Sequence, residues 1–290
     1  MKHLQDIVKT LHAPHVEGNT AVEILDVTAD SRAVKEGSLF IALDGATVDG
    51  HDYVNKAVGA GAVAVLVSKP VEVNSDVCVI TVEDTRAAMM SCVPYFFDYP
   101  ANSMRMIGVT GTNGKTTTTT LLTKVLEGSG KPVHVGGNIG DSLSEVAYSM
   151  PADGFLVAEL SSYQLETIKH FRPIGAIMLN ITPDHLARHK TMENYIAAKE
   201  RIFENQLSTD YLVLNIDDPV VADMEHRSPS HILKISQKKA VENGAYYADG
   251  QCYIDKDEVA KFVIGNENIH IPGSHNIENI LTVIALSHAM

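Results

Sequence analysis

Short apolar runs separated by helical patterns organise the first third of the chain. SLFIAL (38–43), AVAVLV (62–67) and VCVITV (77–82) are dense in β-branched residues, and each predicts a strand. Between the first two, DYVNKAVGAG (52–61) has helical spacing and glycines at its end, so a helix with a stop is expected. This β-α-β alternation implies parallel strands and an α/β domain. EDTRAAMMSCVPYFFDYPANS (83–103) then predicts a helix running into a polar linker that contains Pro100. A domain boundary is expected near residues 98–103, dividing the chain into 1–100 and 101–290.

The second part repeats the alternation. Strands are expected at MRMIGVT (104–110), KPVHVG (131–136), FLVAEL (155–160), IGAIMLNI (174–181) and YLVLNI (211–216). A helix follows the first of them through about Glu127, and TMENYIAAKERIFENQ (191–206) predicts another. The runs either side of Gly250 in AYYADGQCYID (245–255) predict a hairpin, which KFVIG (261–265) and NIHIP (268–272) would extend. GSHNIENILTVIALSHAM (273–290) is an apolar-striped helix begun at Ser274 or Asn276. The expected fold is a small N-terminal α/β domain followed by a larger α/β domain with a mostly parallel sheet.

Charge narrows the possible partners. The 290 residues carry a formal net charge of −13, which disfavours nucleic acid and anionic membrane as general partners, because both select a basic face. An acidic protein binds phosphate only through a local site. Cys78, Cys92 and Cys252 are widely separated and lack metal-ribbon spacing, so buried thiols are expected. The amphipathic start MKHLQDIVKTLHA lacks a signal peptide's apolar core, and no apolar run approaches the roughly 18–20 residues of a membrane span. A cytoplasmic location and a monomer are expected. The sequon at Asn180-Ile181-Thr182 is read as chance.

GVTGTNGKTTTTT (108–120) is the densest chemical signal. A strand delivering a glycine-rich turn to a helix N-terminus builds an anion site from unpaired amides and the helix dipole. Gly111 and Gly114 permit the backbone geometry, Lys115 can reach terminal phosphates, and Thr116 can ligate Mg²⁺. The strict phosphate-loop pattern wants glycine at position 109, where this chain has Val109. Gly108, Gly111 and Gly114 are expected to form a variant loop instead. Glu159 ends a buried strand in the same sheet, where a carboxylate can hold Mg²⁺.

TGTNGKTTT (110–118) resembles the ATP loop of the Mur ligases, the amide-forming enzymes of peptidoglycan precursor synthesis, a loop also found in folylpolyglutamate synthases. The resemblance covers nearly the whole chain. It implies an ATP site built from Gly111, Thr112, Asn113, Gly114, Lys115, Thr116 and Thr117. VAELSSYQLE (157–166) resembles the segment with the metal-binding Glu, here Glu159, in the form found in members that add D-glutamate; Ser161 in it is a candidate for substrate contact. LNITPDHLARHKTMENYIAAKERIF (179–203) resembles the same members, implying His185 on a second Mg²⁺ and Lys199 as the lysine that becomes carbamylated. Lys115, His185 and Lys199 are thus the implied catalytic residues, and Thr116, Glu159, His185 and Lys199 the implied metal set. Ala187 and Lys190 stand where the family usually has Asp and Gly.

GGNIG (136–140) resembles the loop whose Asn, here Asn138, touches the nucleotide-sugar. PGSHNIENI (272–280) resembles the segment near adenine, with His275, Asn276 and Asn279 as candidates. DSRAVKEGSLFIALDGATVDGHDYVNKAVGAGAVAVLV (30–67) resembles the UDP-binding domain of members adding the third residue or the final dipeptide, implying Ser31 and Arg32 at the uridine diphosphate with Asp49, Gly50 and His51 in the adjoining loop. The implied reaction is addition of D-glutamate to UDP-N-acetylmuramoyl-L-alanine through an acyl phosphate, with ATP and two Mg²⁺. The alternatives are a third-residue ligase using diaminopimelate or lysine, and a non-catalytic nucleotide-binding module. Family members carry a third, Rossmann-like C-terminal domain that is expected to be absent here, leaving this stretch inactive by itself.

Overall fold

The computed structural model describes the chain outside residues 46–47, 74–75, 100–103, 141–142, 144–145, 147–149, 152 and 257–258. The linker expected at 98–103 falls largely outside the described residues. Two compact units emerge, Met1–Pro100 and Ala101–Met290.

In the first unit, β1 (His15–Glu17), β2 (Asp26–Thr28), β3 (Ser38–Ile41), β4 (Ala62–Val67) and β5 (Cys78–Thr81) form one sheet in the order β1-β5-β4-β3-β2. Its pairings are parallel except that of β1 with β5. Side chains alternate across β3. Leu39 and Ile41 enter one core with Ala88, Cys92 and Phe96 of helix α2 (Thr85–Phe96). Phe40 and Ala42 enter the other with Val54 and Ala57 of α1 (Val54–Gly59). Both faces are therefore apolar, which explains why β3 and β4 read as near-continuous hydrophobic runs.

Among the described residues the second unit holds a nine-stranded sheet. Its strands are β6 (Arg105–Thr110), β7 (Val133–Gly137), β8 (Phe155–Glu159), β9 (Gly175–Met178), β10 (Tyr211–Asn215), β11 (His231–Ser236), β12 (Gly244–Ala248), β13 (Gln251–Lys256) and β14 (Val259–Gly265). The order is β14-β13-β12-β11-β10-β9-β6-β8-β7, parallel from β7 through β12 and antiparallel at β13 and β14. Helices α3 (Lys115–Glu127) and α5 (Ser274–Ala289) pack Leu122, Leu126, Leu281 and Leu286 against Ile107, Val109, Val157 and Ile177. Tyr195 of α4 (Met192–Glu200) covers the other face with Ile202 and Phe203, against Ala158, Ala176 and Leu212. NIHIP does not extend the hairpin: Asn266–Asn268 is a 3₁₀ turn, and Pro272 offers no amide for a further ladder.

β7 and β8 lie on one side of β6, and β9 and β10 on the other, so the winding of the sheet reverses at β6. The carboxyl end of β6 is a topological switch point, where open α/β sheets bind ligands.

Candidate active site

The loop after β6 is Gly111–Gly114, and α3 begins at Lys115. Gly114 caps the helix at φ 83°, and a Cβ there would lie 2.5 Å from Asn279 Oδ1. Glycine is required on both counts. The first helical bond is donated by Thr118 to Gly114 O at 2.9 Å. The amides of Lys115, Thr116 and Thr117 thus form the helix's open N-terminus, the expected place for phosphate.

Val109 and Gly108 lie inside β6, not in the loop. Val109 is fully buried in the core, and a Cβ on Gly108 would meet Ile202 Cδ1 at 3.0 Å. Gly108 therefore serves packing, and the expectation that it shapes the loop is corrected. The turn rests on Gly111 and Gly114 alone.

Thr112 and Asn113 direct their amides into the protein. Thr112 N donates to Asn180 O (2.8 Å), and Asn113 N to Asn180 Oδ1 (2.8 Å). Asn180 Nδ2 returns a bond to Asn113 O (3.2 Å), and Thr182 N donates to Thr112 Oγ1 (3.0 Å). Asn180, read from sequence only as half of a chance sequon, is the clamp of the loop. Its signal was its place just past a strand at the same sheet edge. Asn279 backs the loop from behind. It is buried, accepts from Thr118 Oγ1 (3.1 Å), and donates to Asn276 Oδ1 (3.1 Å). Asn276 in turn donates to Pro272 O (2.6 Å), which places it at the start of α5 beside the loop's support.

The structure brings Thr116, Glu159 and Asn138 together. Thr116 Oγ1 donates to Glu159 Oε2 (2.8 Å) and Asn138 Nδ2 to Glu159 Oε1 (2.9 Å). Asn138 N also reaches Glu159 O (2.8 Å), an approach that Gly137 permits at φ 106°, since a Cβ there would fall 2.3 Å from that oxygen. Glu159 is 1 % exposed, and both of its side-chain donors are neutral. A buried carboxylate next to a hydroxyl is a hard-oxygen donor set suited to Mg²⁺, so Thr116 and Glu159 fit the implied ion.

Lys115 and Lys199 converge on the loop. Lys115 Nζ donates to Gly111 O and Thr112 O, each at 2.9 Å. Burial pushes its pKa down, opposed by the charges of Glu159 and Asp184. Lys199 Nζ donates to Gly111 O (2.7 Å) and Thr110 Oγ1 (3.4 Å) and lies over the Tyr195 ring. Only 2 % exposed, it is lowered to about 7, first by burial and then by the charge of Lys115, with Asp184 opposing. The fold buries this helix lysine.

His185 lies beside the Tyr163 and Tyr195 rings, with centroids 5.1 and 6.4 Å away. It is half exposed, at φ 52°, with Asp184 Oδ2 3.4 Å from Nε2. Among the described residues Glu159, Asp184 and His185 do not gather as a trio of ligands within 4.8 Å; Asp44, Asp49 and His51 do, but the Lys69 ammonium bridges the two aspartates at 2.7 and 2.6 Å. His189, which the sequence did not mark, is buried with Nε2 2.9 Å from Ser162 Oγ and Nδ1 3.3 Å from Glu166 Oε1. Ser161 forms a capping box with Gln164, its hydroxyl donating to Gln164 Oε1 (2.9 Å) and accepting from Gln164 N (3.3 Å).

In the first unit Ser31 and Arg32 line a cavity of about 450 Å³ together with Asp30, Gly50, Tyr53 and Lys56. Arg32 is exposed and paired with Asp30 Oδ2 at 2.8 Å.

Comparison with known proteins gives the family. The family model described as "Mur ligase middle domain" matches residues 109–287, and "Mur ligase family, catalytic domain" matches residues 23–94. The chain belongs to the Mur ligase family. Among curated Mur ligases it is similar to UDP-N-acetylmuramoylalanine--D-glutamate ligase of Thermoanaerobacter sp. (strain X514), 42% identical over 228 residues, covering 79% of this chain and 50% of that protein. The same-named ligase of Caldanaerobacter subterraneus subsp. tengcongensis is 46% identical over 190 residues, covering 66% of this chain and 41% of the relative. The chain spans about half the length of these Mur ligases. Among solved structures, a UDP-N-acetylmuramoyl-L-alanyl-D-glutamate--2,6-diaminopimelate ligase aligns with TM-score 0.74 at 23% identity, over 99% of this chain and 64% of that one. MurF from Acinetobacter baumannii aligns with TM-score 0.73 at 20% identity, over 99% and 64%. These likenesses establish the Mur ligase fold. Among the described residues no helix is long and apolar enough to cross a membrane.

Proposed function

We propose that this chain supplies the nucleotide-sugar-binding and ATP-binding domains of an ATP-dependent ligase that joins D-glutamate to UDP-N-acetylmuramoyl-L-alanine. The observation that carries the reading is the set around the loop, Lys115 and Thr116 with the buried Glu159 and Lys199, in a chain 42–46% identical to ligases named for that reaction. The open helix N-terminus receives the phosphates, and Lys115 exchanges its two carbonyl partners for phosphate oxygens. Glu159 and Thr116 would hold Mg²⁺, which when bound offsets charge on the transferring phosphoryl group. His185 and Lys199 are proposed for a second ion, with Lys199 carbamylated. A lysine lowered to about 7 holds a substantial neutral fraction near neutrality, which reaction with CO₂ requires.

In the proposed reaction an oxygen of the sugar-linked carboxylate forms a bond to the γ-phosphorus of ATP while the bond to the bridging oxygen breaks and ADP departs. The amine nitrogen of D-glutamate then bonds to the acyl carbon, phosphate departs with the attacking oxygen, and the nitrogen loses a proton. No protein nucleophile is needed; positioning and charge stabilisation suffice. The test is ¹⁸O transfer: substrate labelled in the carboxylate should yield inorganic phosphate carrying one ¹⁸O in the full-length protein. Unlabelled phosphate would overturn the acyl-phosphate route.

A ligase adding diaminopimelate is the second reading, favoured by the fold match across 99% of the chain, both units included. At 23% identity that match speaks for fold, and the higher identity to D-glutamate ligases supports the first reading.

A further inference from the structure

One wall of the first unit's cavity is held by an arrangement that nucleotide binding does not itself require. Leu43, Val48 and Gly50 line that wall. The chain nearly touches itself there: Gly50 N donates to Leu43 O at 2.8 Å, and a Cβ on Gly50 would lie 2.7 Å from Leu43 N. Asp49, next to Gly50, accepts on Oδ1 from His51 N (2.9 Å) and His51 Nδ1 (2.6 Å). Its other oxygen accepts from Lys69 Nζ at 2.6 Å. Lys69 and His51 together hold the Asp49 carboxyl far below the usual carboxylate range.

The second imidazole nitrogen reaches a different element. His51 Nε2 accepts from Ser68 N at 2.9 Å, immediately beyond the end of β4. The imidazole is buried, with 6 % of its side chain exposed. A carboxylate only accepts and an amide only donates, so the ring must carry its proton on Nδ1 and a lone pair on Nε2. Ser68 Oγ also lies 3.3 Å from Nε2, which gives the outline of a Ser-His-Asp nucleophile. The shorter bond from Ser68's own amide occupies the lone pair that a general base would need, so the arrangement is a tie and not a nucleophilic triad.

The rest of the cavity has the chemistry of a nucleoside diphosphate site. Tyr53 offers a half-exposed ring to a base, and Arg32 and Lys56 offer cations to a diphosphate. We infer that His51 is a positioning residue for nucleoside diphosphate recognition: it ties the wall at Leu43, Val48 and Gly50 to the end of β4 and so fixes its spacing from Arg32, Tyr53 and Lys56. This rests on reading the first unit as the nucleotide-sugar domain. Other side chains cannot bridge the same two partners equally. Phenylalanine fills the space without either bond, whereas glutamine retains one donor and one acceptor.

Two measurements on the intact chain test the inference. Long-range ¹⁵N–¹H correlation should show His51 as the Nδ1-protonated neutral tautomer; an Nε2-protonated ring would overturn it. Calorimetry with uridine diphosphate should show His51→Phe binding at least ~10-fold more weakly than wild type, with His51→Gln between the two. ATP binding in the second unit and the circular dichroism spectrum should be unchanged, which separates a misplaced wall from a misfolded chain. Equal affinity in wild type and His51→Phe would refute the positioning role. Absence of uridine diphosphate binding by wild type would remove both this role and the nucleotide-sugar reading, and that outcome is visible before any variant is made.

Discussion

Lys115 and Lys199 donate to the same carbonyl oxygen, Gly111 O, at 2.9 and 2.7 Å. One lysine begins the helix after the loop and the other lies on α4, across the sheet's opposite face. Two ammonium groups sharing one acceptor form a store of positive charge that is poorly compensated until anionic ligands arrive. Under the proposed function, bound phosphate would relieve that repulsion, and carbamylation of Lys199 would invert one of the charges.

The pairing sets a pH dependence. Lys199 is lowered from 10.5 to about 7 in the folded chain, so between those values the unfolded chain binds more protons. Unfolding free energy should therefore rise with pH through that window, by up to about 1.4 kcal/mol per unit, and be flat from this source below it. Lys199→Met lacks the term. Denaturant titrations of both chains should show the variant's advantage largest below pH 7 and shrinking as pH climbs toward 10.5. A difference independent of pH would contradict the assigned burial.

Gly114→Ala forces a side chain into φ 83° and into Asn279 Oδ1. A loss of roughly 1–3 kcal/mol in urea unfolding is expected, together with weaker ATP binding. Removing the clash with Asn279→Ala should restore only part of the stability, because the backbone strain remains. Full recovery in the double variant would show that the dihedral contributes nothing.

Asn180→Ala breaks two side-chain bonds to Asn113 while leaving the main-chain bond from Thr112 intact. Stability should fall by about 1–2 kcal/mol, and ATP affinity should fall further than stability alone explains, since the loop loses its preorganised shape. Calorimetry at a temperature well below unfolding separates the two effects.

Lys190→Gly should stabilise the chain by up to ~1 kcal/mol, because Lys190 sits at φ 71°, a region costly for any residue with a Cβ. Thermal unfolding of the variant below that of wild type would count against it.

Much of this was legible in the chain. Short apolar runs marked β3, β4, β6, β8 and β10, because both faces of each sheet are covered and each strand is apolar on both sides. Lys115, Thr116 and Glu159 lay in local patterns and meet in the fold. What escaped was pairing between distant segments. Asn180 clamps a loop 67 residues earlier, and His189 reaches Ser162 across 27 residues. Neither has a local periodicity to announce it. Gly108 misled for the opposite reason: it lies close to the loop in sequence, while its use is a packing contact with Ile202.

The central claim is tested most directly by phosphate release from the full-length protein given ATP, Mg²⁺ and UDP-N-acetylmuramoyl-L-alanine with one amino acid at a time. Release is expected with D-glutamate and not with diaminopimelate, lysine or D-alanyl-D-alanine. Release with diaminopimelate or lysine in place of D-glutamate, or with none of them, would contradict the account.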